Sequence, residues 1–513
     1  MTKHFKYTDF KQFKLFGIIC LIKIAAYNKG QHLKKMKRYI ITFFTLIALN
    51  ASSQIPVDSI KAIIKREVLA KRSKSIIVGI VDRNGLRQIF AEGILSDDDR
   101  RLPDAHTIYE IGSITKVFTS LLLADMSLKH QLSLNDPISK YLPKSIKTPL
   151  RNGKEISLLS LSTHRSGMPR FPYNVDPKNL DEPYVDYTMA QLHEYVSKFS
   201  PEFDIDSKWR YSNTAYGLLG DILSRIAKKD FETLVKEKIC RPLNLPNTIV
   251  KLNAKQKRNV ALGYAETGVF AGFTELNAIA AGGALRSNVD DMLTFTEANL
   301  GIRKSSLYPA IKLTHQLQAK KDGNDTYTTM GWTLSNNNGE YHLFKDGGTL
   351  GYRSFIGIDT VNKIGVVVLS NSNNSVTDIG RHILSPTQKV QPYQYPWTLL
   401  DTMRVTVKDK GTAAAIELYM RLKTENSGSY VFNEMQLNYL GDELRRAKQI
   451  EDAIKIYELN LITYPNSTLV YESLGETYKR NHDKKTALKY FDQAKTLDPQ
   501  NQHWDFIIEK LQR

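Results

Sequence analysis

Gly112-Ser113-Ile114-Thr115-Lys116, running directly into Val117-Phe118-Thr119-Ser120-Leu121-Leu122-Leu123, is the stretch on which the reading of this chain turns. Ser113 and Lys116 stand three residues apart at the start of a predicted helix, so they share one face, one turn apart. A serine hydroxyl is a weak nucleophile until a base takes its proton. A buried lysine with a depressed pKa can be that base or polarise another. The helix N-terminus also favours negative charge developing at the serine. On its own, Ser-x-x-Lys is common in long chains, and a serine in front of a helix also reads as a plain N-cap.

Two further elements follow in chain order. Tyr211-Ser212-Asn213 lies just ahead of the helical run that begins near Tyr216, and offers a phenol and an amide from one short segment. Tyr211 beside a lysine ammonium can share or lose its proton and act as general base, while Asn213 can hydrogen-bond a substrate amide or the lysine. The alternative is a buried tyrosine with a satisfied hydroxyl. Lys345-Asp346-Gly347-Gly348 then sits at the end of a predicted strand. There a cation can hold a carboxylate and the glycines let a substrate backbone approach closely.

Taken together and in this order, the three elements resemble those of the class C β-lactamases and related penicillin-binding serine hydrolases. Leu134-Asn135-Asp136-Pro137, Thr163-His164-Arg165-Ser166-Gly167-Met168-Pro169, Ala281-Gly282-Gly283 and Gly351-Tyr352-Arg353-Ser354 also resemble recurrent stretches of that family. The resemblance covers roughly residues 56–380. It implies Ser113 as the acylated nucleophile, Lys116 and Tyr211 as the proton-handling pair, and Asn213, Lys345 and Gly347 as substrate contacts. It further implies an oxyanion hole made by the backbone N–H groups of Ser113 and Gly348, which would stabilise a tetrahedral intermediate. His164 invites a Ser-His-Asp reading, but no Gly-x-Ser-x-Gly elbow accompanies it, and in the resembling family this stretch is structural. The chain departs from the family where Asp346 replaces the threonine of Lys-Thr-Gly. Facing the cleft, Asp346 would repel a substrate carboxylate unless Lys345 neutralised it; facing outward, it would change nothing.

Outward from these motifs, Ser75–Val81 and Leu86–Ala91 are apolar runs joined through Asp82-Arg83-Asn84-Gly85, a hairpin signal. His342–Lys345, Ser354–Ile358 and Ile364–Leu369 are three more strand-like runs. Val117–Leu128, Tyr216–Ala227 and Asp290–Leu300, between the two sets, have helical length and spacing. The expected fold is therefore α+β: one antiparallel sheet with flanking helices and an all-helical subdomain, followed by a C-terminal α-helical repeat. That repeat is visible by subtraction. Gly441 and Gly475, Ala453 and Ala487, Tyr457 and Phe491, and Pro465 and Pro499 are each 34 residues apart, a pattern that resembles the tetratricopeptide repeat. Because stable arrays usually need three or more units, two repeats should lean on the Thr412–Leu422 helix or on the hydrolase. They read either as a docking groove for a protein partner or as a packed helical cap. The expected division is an export region at 1–53, a hydrolase at 54–385, a linker with a helix at 386–430, and two repeats at 431–513.

Charge narrows the function classes. The net charge of +18 suggests nucleic acid at first, but residues 1–53 carry ten Lys or Arg against the single acid Asp9, half of the total. The rest is a solvated surface without a basic-aromatic recognition module, so no nucleic-acid partner is expected. From Met36, itself a candidate start, Lys37-Arg38 precede an eleven-residue apolar run, Tyr39–Leu49, and then Ala51-Ser52-Ser53. This reads as a secretory signal cut near Gln54, too short to span a membrane, and places the product in the periplasm or outside the cell. Cys20 and Cys240 are the only cysteines, and neither they nor the 11 histidines show metal-ligand spacing. No metal or organic cofactor is expected. The readings carried forward are acyl-enzyme hydrolysis of an amide, β-lactam or ester in a small molecule or peptide, an esterase or D-amino-acid peptidase as alternatives, and a non-enzymatic scaffold that recruits a partner through the repeats.

Overall fold

The Asp82–Gly85 turn forms as its residues dictate. Asp82 Oδ1 accepts the N–H groups of Asn84 and Leu86 at 2.8 and 2.9 Å, and Gly85 takes φ 77°. It joins β1 (Ser75–Val81) to β2 (Arg87–Gly93), paired antiparallel from Ser75↔Gly93 to Val81↔Arg87. A computed structural model describes residues 56–513 apart from 322–325, 338, 393–395, 426–427 and 429. The expected export region 1–53 lies outside the described residues.

Six later strands complete the sheet: β3 (Ala319–Lys320), β4 (Thr326–Thr328), β5 (Thr333–Asn337), β6 (Glu340–Gly348), β7 (Arg353–Asp359) and β8 (Ile364–Ser370). Its order is β2-β1-β8-β7-β6-β5-β4-β3, with antiparallel pairing throughout. The two ends of the hydrolase sequence thus meet in one sheet, as the α+β reading expects. Strand alternation sorts the two faces. Ile76, Val78, Ile80, Val366 and Val368 pack under α1 (Val57–Leu69) and the late helix Thr377–Leu384, whereas Ile77, Val81, Val367 and Leu369 join the main core. Each such buried aliphatic contributes about 1.5–3 kcal/mol against leaving it in water.

Inside that main core lies α2 (Thr115–Leu128), buried around its whole circumference from Thr115 to Met126. A helix apolar on all sides needs partners on all sides. The helix Tyr308–Thr314 covers one side. The helical subdomain, including Met189–Lys198 and α3 (Asn213–Ala227), covers the other. α4 (Val289–Leu300) closes the layer, with Phe295 stacked on Phe118 at 4.2 Å between centroids.

Beyond α5 (Thr377–Leu384) the chain is helical: α6 (Thr398–Glu425, broken at Gly411 with φ 85°), α7 (Glu434–Arg446), α8 (Ile450–Thr463), α9 (Thr468–Arg480), α10 (Lys484–Leu497) and α11 (Gln502–Gln512). Residues 34 apart occupy matching places. A Cβ on Gly441 would meet ring atoms of Tyr457 at 2.7 Å, and one on Gly475 would meet Phe491 at 2.9 Å. Ala453 and Ala487 are both fully buried. The pairs lean on both neighbours that the sequence suggested. α6 lends Leu399, Leu400, Met403, Ala415 and Tyr419 to their core. The hydrolase segment 173–181 holds α7, α9 and α11 by charge: Asp181 pairs with Arg446 at 2.6 Å, Asp176 with Lys479 at 2.8 Å and with Lys510, and Arg480 donates to the carbonyls of Pro177 and Lys178. The described residues accordingly belong to one compact unit.

Candidate active site

Ser113 sits in a single 3-10 turn, Gly112–Ile114, that feeds α2. This turn presses against the end of β6: a Cβ on Gly112 would lie 2.7 Å from the Gly348 nitrogen, and Gly112 takes φ 49°, so both space and backbone demand glycine. Gly348 therefore stands beside Ser113. Its neighbour Gly347 has its α-carbon against the Ile111 carbonyl, and any contact it offers is through backbone.

Lys116 is 0 % exposed. Its ammonium lies 3.2 Å from Ser113 Oγ, donates to Asn213 Oδ1 at 2.6 Å, and donates to the Gly282 carbonyl. The Tyr211 and Ser113 hydroxyls share a hydrogen bond. Serine, lysine, tyrosine and asparagine thus form one connected cluster drawn from segments a hundred residues apart. Burial, reinforced by the Lys345 and Arg170 charges, brings Lys116 down to about 8, with Tyr211 opposing. Burial alone would push the Tyr211 phenol up, but the Lys116 and Lys345 ammoniums overcome it and hold it at about 8. Two groups that normally titrate far from neutrality are each poised near it, as proton transfer to and from Ser113 requires.

The Tyr211-Ser212-Asn213 segment is strapped down by 163–170. Ser212 N–H donates to His164 Nδ1 at 3.1 Å, Ser212 Oγ donates to the Pro169 carbonyl at 2.7 Å, and Asn213 N–H donates to the Arg170 carbonyl at 2.9 Å. Burial and the surrounding lysines hold His164 well below its ordinary value, so it is neutral and accepts at Nδ1. Its ring lies 4.5 Å from that of Tyr211. It positions the tyrosine.

Lys345 is 6 % exposed, with its ammonium 4.9 Å from the Tyr211 ring centre, and it has no hydrogen-bond or ion-pair partner among the described residues. Asp346 is exposed, and alternation along β6 puts it on the other face of the sheet from Lys345. Its charge nonetheless reaches Lys321 and Arg353, raising both against the burial that lowers them. Lys321 was not legible in the sequence. It lies over the Trp209 ring at 4.5 Å, donates to Thr333 Oγ1 at 2.8 Å, and is brought down to about 8 by burial and by Lys345. Arg170 was equally hidden; its guanidinium lies 5.8 Å from the Tyr211 ring centre. Gly282 had a signal, since paired glycines in an apolar run mark close backbone approach. Among the described residues no group of three His, Cys, Asp or Glu converges as a metal-binding set.

The family model named Beta-lactamase matches residues 50–384, well over half of the chain. The chain belongs to the Beta-lactamase family. It is a serine hydrolase of that family, with a β-lactamase/transpeptidase-like fold. Within the family it is 26% identical over 357 residues to a Pseudomonas fluorescens protein named Beta-lactamase, covering 62% of this chain and 93% of that one. It is 32% identical over 199 residues to the Escherichia coli D-alanyl-D-alanine-carboxypeptidase/endopeptidase, covering 39% of this chain and 50% of that one. Among solved structures, the class C β-lactamase of Rhodobacter sphaeroides superposes with a TM-score of 0.54 at 23% identity, over 61% of this chain and 94% of that one. The octameric penicillin-binding protein homologue of Pyrococcus abyssi gives 0.58 at 23%, over 69% and 82%. These two likenesses establish the Beta-lactamase fold over the hydrolase part.

Proposed function

We propose that this Beta-lactamase family hydrolase cuts an amide or β-lactam bond that lies beside a substrate carboxylate. The observation that carries the proposal is Lys345: a nearly buried ammonium, unpartnered among the described residues, against the Tyr211 ring. Such a group costs free energy unless an anion meets it, and both β-lactams and D-alanine-terminated peptides present one. Lys321 adds a second cation, and Asp346 lies across the sheet, so the charge beside Ser113 is positive.

In the proposed mechanism Ser113 Oγ attacks the carbonyl carbon while its proton passes to the Lys116–Tyr211 pair. The N–H groups of Ser113 and Gly348 receive the developing oxyanion. Asn213 holds the Lys116 ammonium and the substrate amide, and Gly347 lets the substrate backbone lie along β6. Collapse expels the amine, which takes the proton from the same pair, and water then hydrolyses the Ser113 ester. A second reading, an esterase for uncharged acyl groups, is supported by the Asp346 charge, which reaches the cleft cation Lys321 from across the sheet.

Export is part of the proposal, carried by the 36–53 signal pattern, and the product works in the periplasm or outside the cell. No helix of the described residues is long and apolar enough to cross a membrane. The division into 54–385, 386–430 and 431–513, and tetratricopeptide character for α7–α10 with a capacity to dock a protein partner, are proposed on the matched 34-residue places.

The test is turnover of a chromogenic cephalosporin, a D-alanyl-D-alanine peptide and a short p-nitrophenyl ester by the chain from Gln54 and by its Ser113→Ala and Lys345→Ala variants. Ser113-dependent turnover of the first or second, with KM raised at least tenfold by Lys345→Ala, is expected. Turnover of the ester alone, indifferent to Lys345, overturns the carboxylate reading in favour of the esterase.

A further inference from the structure

The C-terminal helices close a cavity of about 740 Å³ against the hydrolase. One wall is the 169–184 segment with Arg210; the other comes from α9 and the 498–504 turn into α11. Its charged lining is Arg170, Arg210, Glu202, Glu472, Glu476 and Asp498. Arg210 is tied to Glu202 at 2.9 Å and Glu476 to Lys479 at 2.5 Å. That leaves Arg170, Glu472 and Asp498 with no ion pair among the described residues, a net deficit of one cation. Trp504, 2 % exposed, also lines the cavity.

Continuity with the catalytic cluster runs through one residue. Arg170 lines the cavity, its guanidinium lies 5.8 Å from the Tyr211 ring centre, and its carbonyl accepts from Asn213 N–H. Arg170 thus borders both the catalytic cluster and the cavity. The size suits a peptide arm rather than a bicyclic lactam alone. Phe171 and Tyr184, stacked at 4.5 Å, give that arm an apolar wall.

We infer that this cavity is a remote substrate subsite that takes the amino-bearing arm of a peptide whose scissile end lies over Ser113, with Glu472 as counter-ion to the ammonium. The inference rests on the hydrolase reading above and adds to it the class of substrate, a cationic peptide, and a role for the C-terminal helices as a specificity wall. Burial pushes the Glu472 carboxyl up, with Glu476 adding to it and His503 opposing. An ammonium placed there restores its charge. Glu472 is a specificity residue and lies outside the proton-handling cluster.

The experiment measures binding by calorimetry to the full chain carrying Ser113→Ala, with L-lysyl-D-alanyl-D-alanine and its Nα,Nε-diacetyl form as probes, each repeated with Glu472→Gln added. The free-amine peptide is expected to bind about tenfold tighter than the diacetyl form, a gap that Glu472→Gln closes. In the Ser113 chain, Glu472→Gln should leave the rate of Ser113 adduct formation with a cephalosporin, read by mass spectrometry, unchanged. That also verifies that the variant folds. A tenfold gap that survives Glu472→Gln, equal binding of the two peptides, or no binding of either while the adduct still forms, each overturns the inference and leaves the hydrolase reading intact. Failure of the adduct in the unsubstituted Ser113 chain is instead failure of that reading.

Discussion

Ser113 draws its reactivity from two neighbours that each stand at about 8, Lys116 lowered chiefly by burial and Tyr211 by the Lys116 and Lys345 charges. They titrate as a pair, so the first proton lost belongs to both. Acylation of Ser113 by a neutral p-nitrophenyl ester should therefore rise as pH climbs through about 8. Lys345→Ala removes a cation that lowers both groups, so both move up and the rising limb shifts to higher pH. A stopped-flow pH profile of the two proteins checks this. Tyr211→Phe keeps the ring over which Lys345 lies but removes the hydroxyl; acylation should slow by about 10²–10⁴-fold, as loss of a general base does, read as the rate of p-nitrophenol release. Ser113, Lys116, Tyr211, Asn213 and Lys345 were legible because their types and order carry chemistry. Arg170, Lys321 and Trp209 were not, because each stands on a connecting segment with no fixed spacing from Ser113, and only the closure of the fold brings them to it.

At the level of elements, helix pairs α7–α8 and α9–α10 depend on small residues at set places. Gly441→Ala gains up to about 1 kcal/mol of helix propensity. Its new Cβ, however, meets the Tyr457 ring on the fully buried side, and overpacking of this kind costs about 1–3 kcal/mol. The balance should be a loss of about 1 kcal/mol or more, seen as a lower urea midpoint for the C-terminal helices with little change in Ser113 acylation. Subtraction by 34 found these pairs because aromatic-on-glycine packing leaves a regular trace. The strands β3, β4 and β5 left none: Thr-Tyr-Thr and Thr-Leu-Ser-Asn-Asn lack apolar alternation, and they pair because β6 offers them an open edge. Likewise α11 carries no repeat signature, yet Trp504, Ile507 and Ile508 cover the last pair.

For the whole molecule, the attachment of the helices to the hydrolase is the weak seam, since charge rather than apolar area carries much of it. Burial pushes the Asp176 carboxyl up, but its Lys479 and Lys510 partners outweigh that and hold it below its ordinary 3.8. A carboxyl lowered by folding stabilises fully above its unfolded value and loses that contribution as acid titrates it. The seam should thus hold above about pH 4 and loosen below it. Asp176→Ala should remove about 1.5–3 kcal/mol, the worth of hydrogen bonds to a charged group. Faster amide exchange in α11 and in 173–181 at neutral pH would report it. If those amides exchange as before, the seam is held by its apolar contacts instead.

Light offers a view of the same molecule that needs no chemistry at Ser113. Of the four tryptophans, Trp332 and Trp397 are sealed in cores, whereas Trp209 lies beneath Lys321 at the cleft and Trp504 borders the cavity. An anion that draws Lys321 toward itself alters the surroundings of the first indole, and a ligand that fills the cavity alters those of the other. The emission spectrum of the unlabelled chain is therefore a built-in gauge of occupancy, and replacing either indole with phenylalanine separates the two signals.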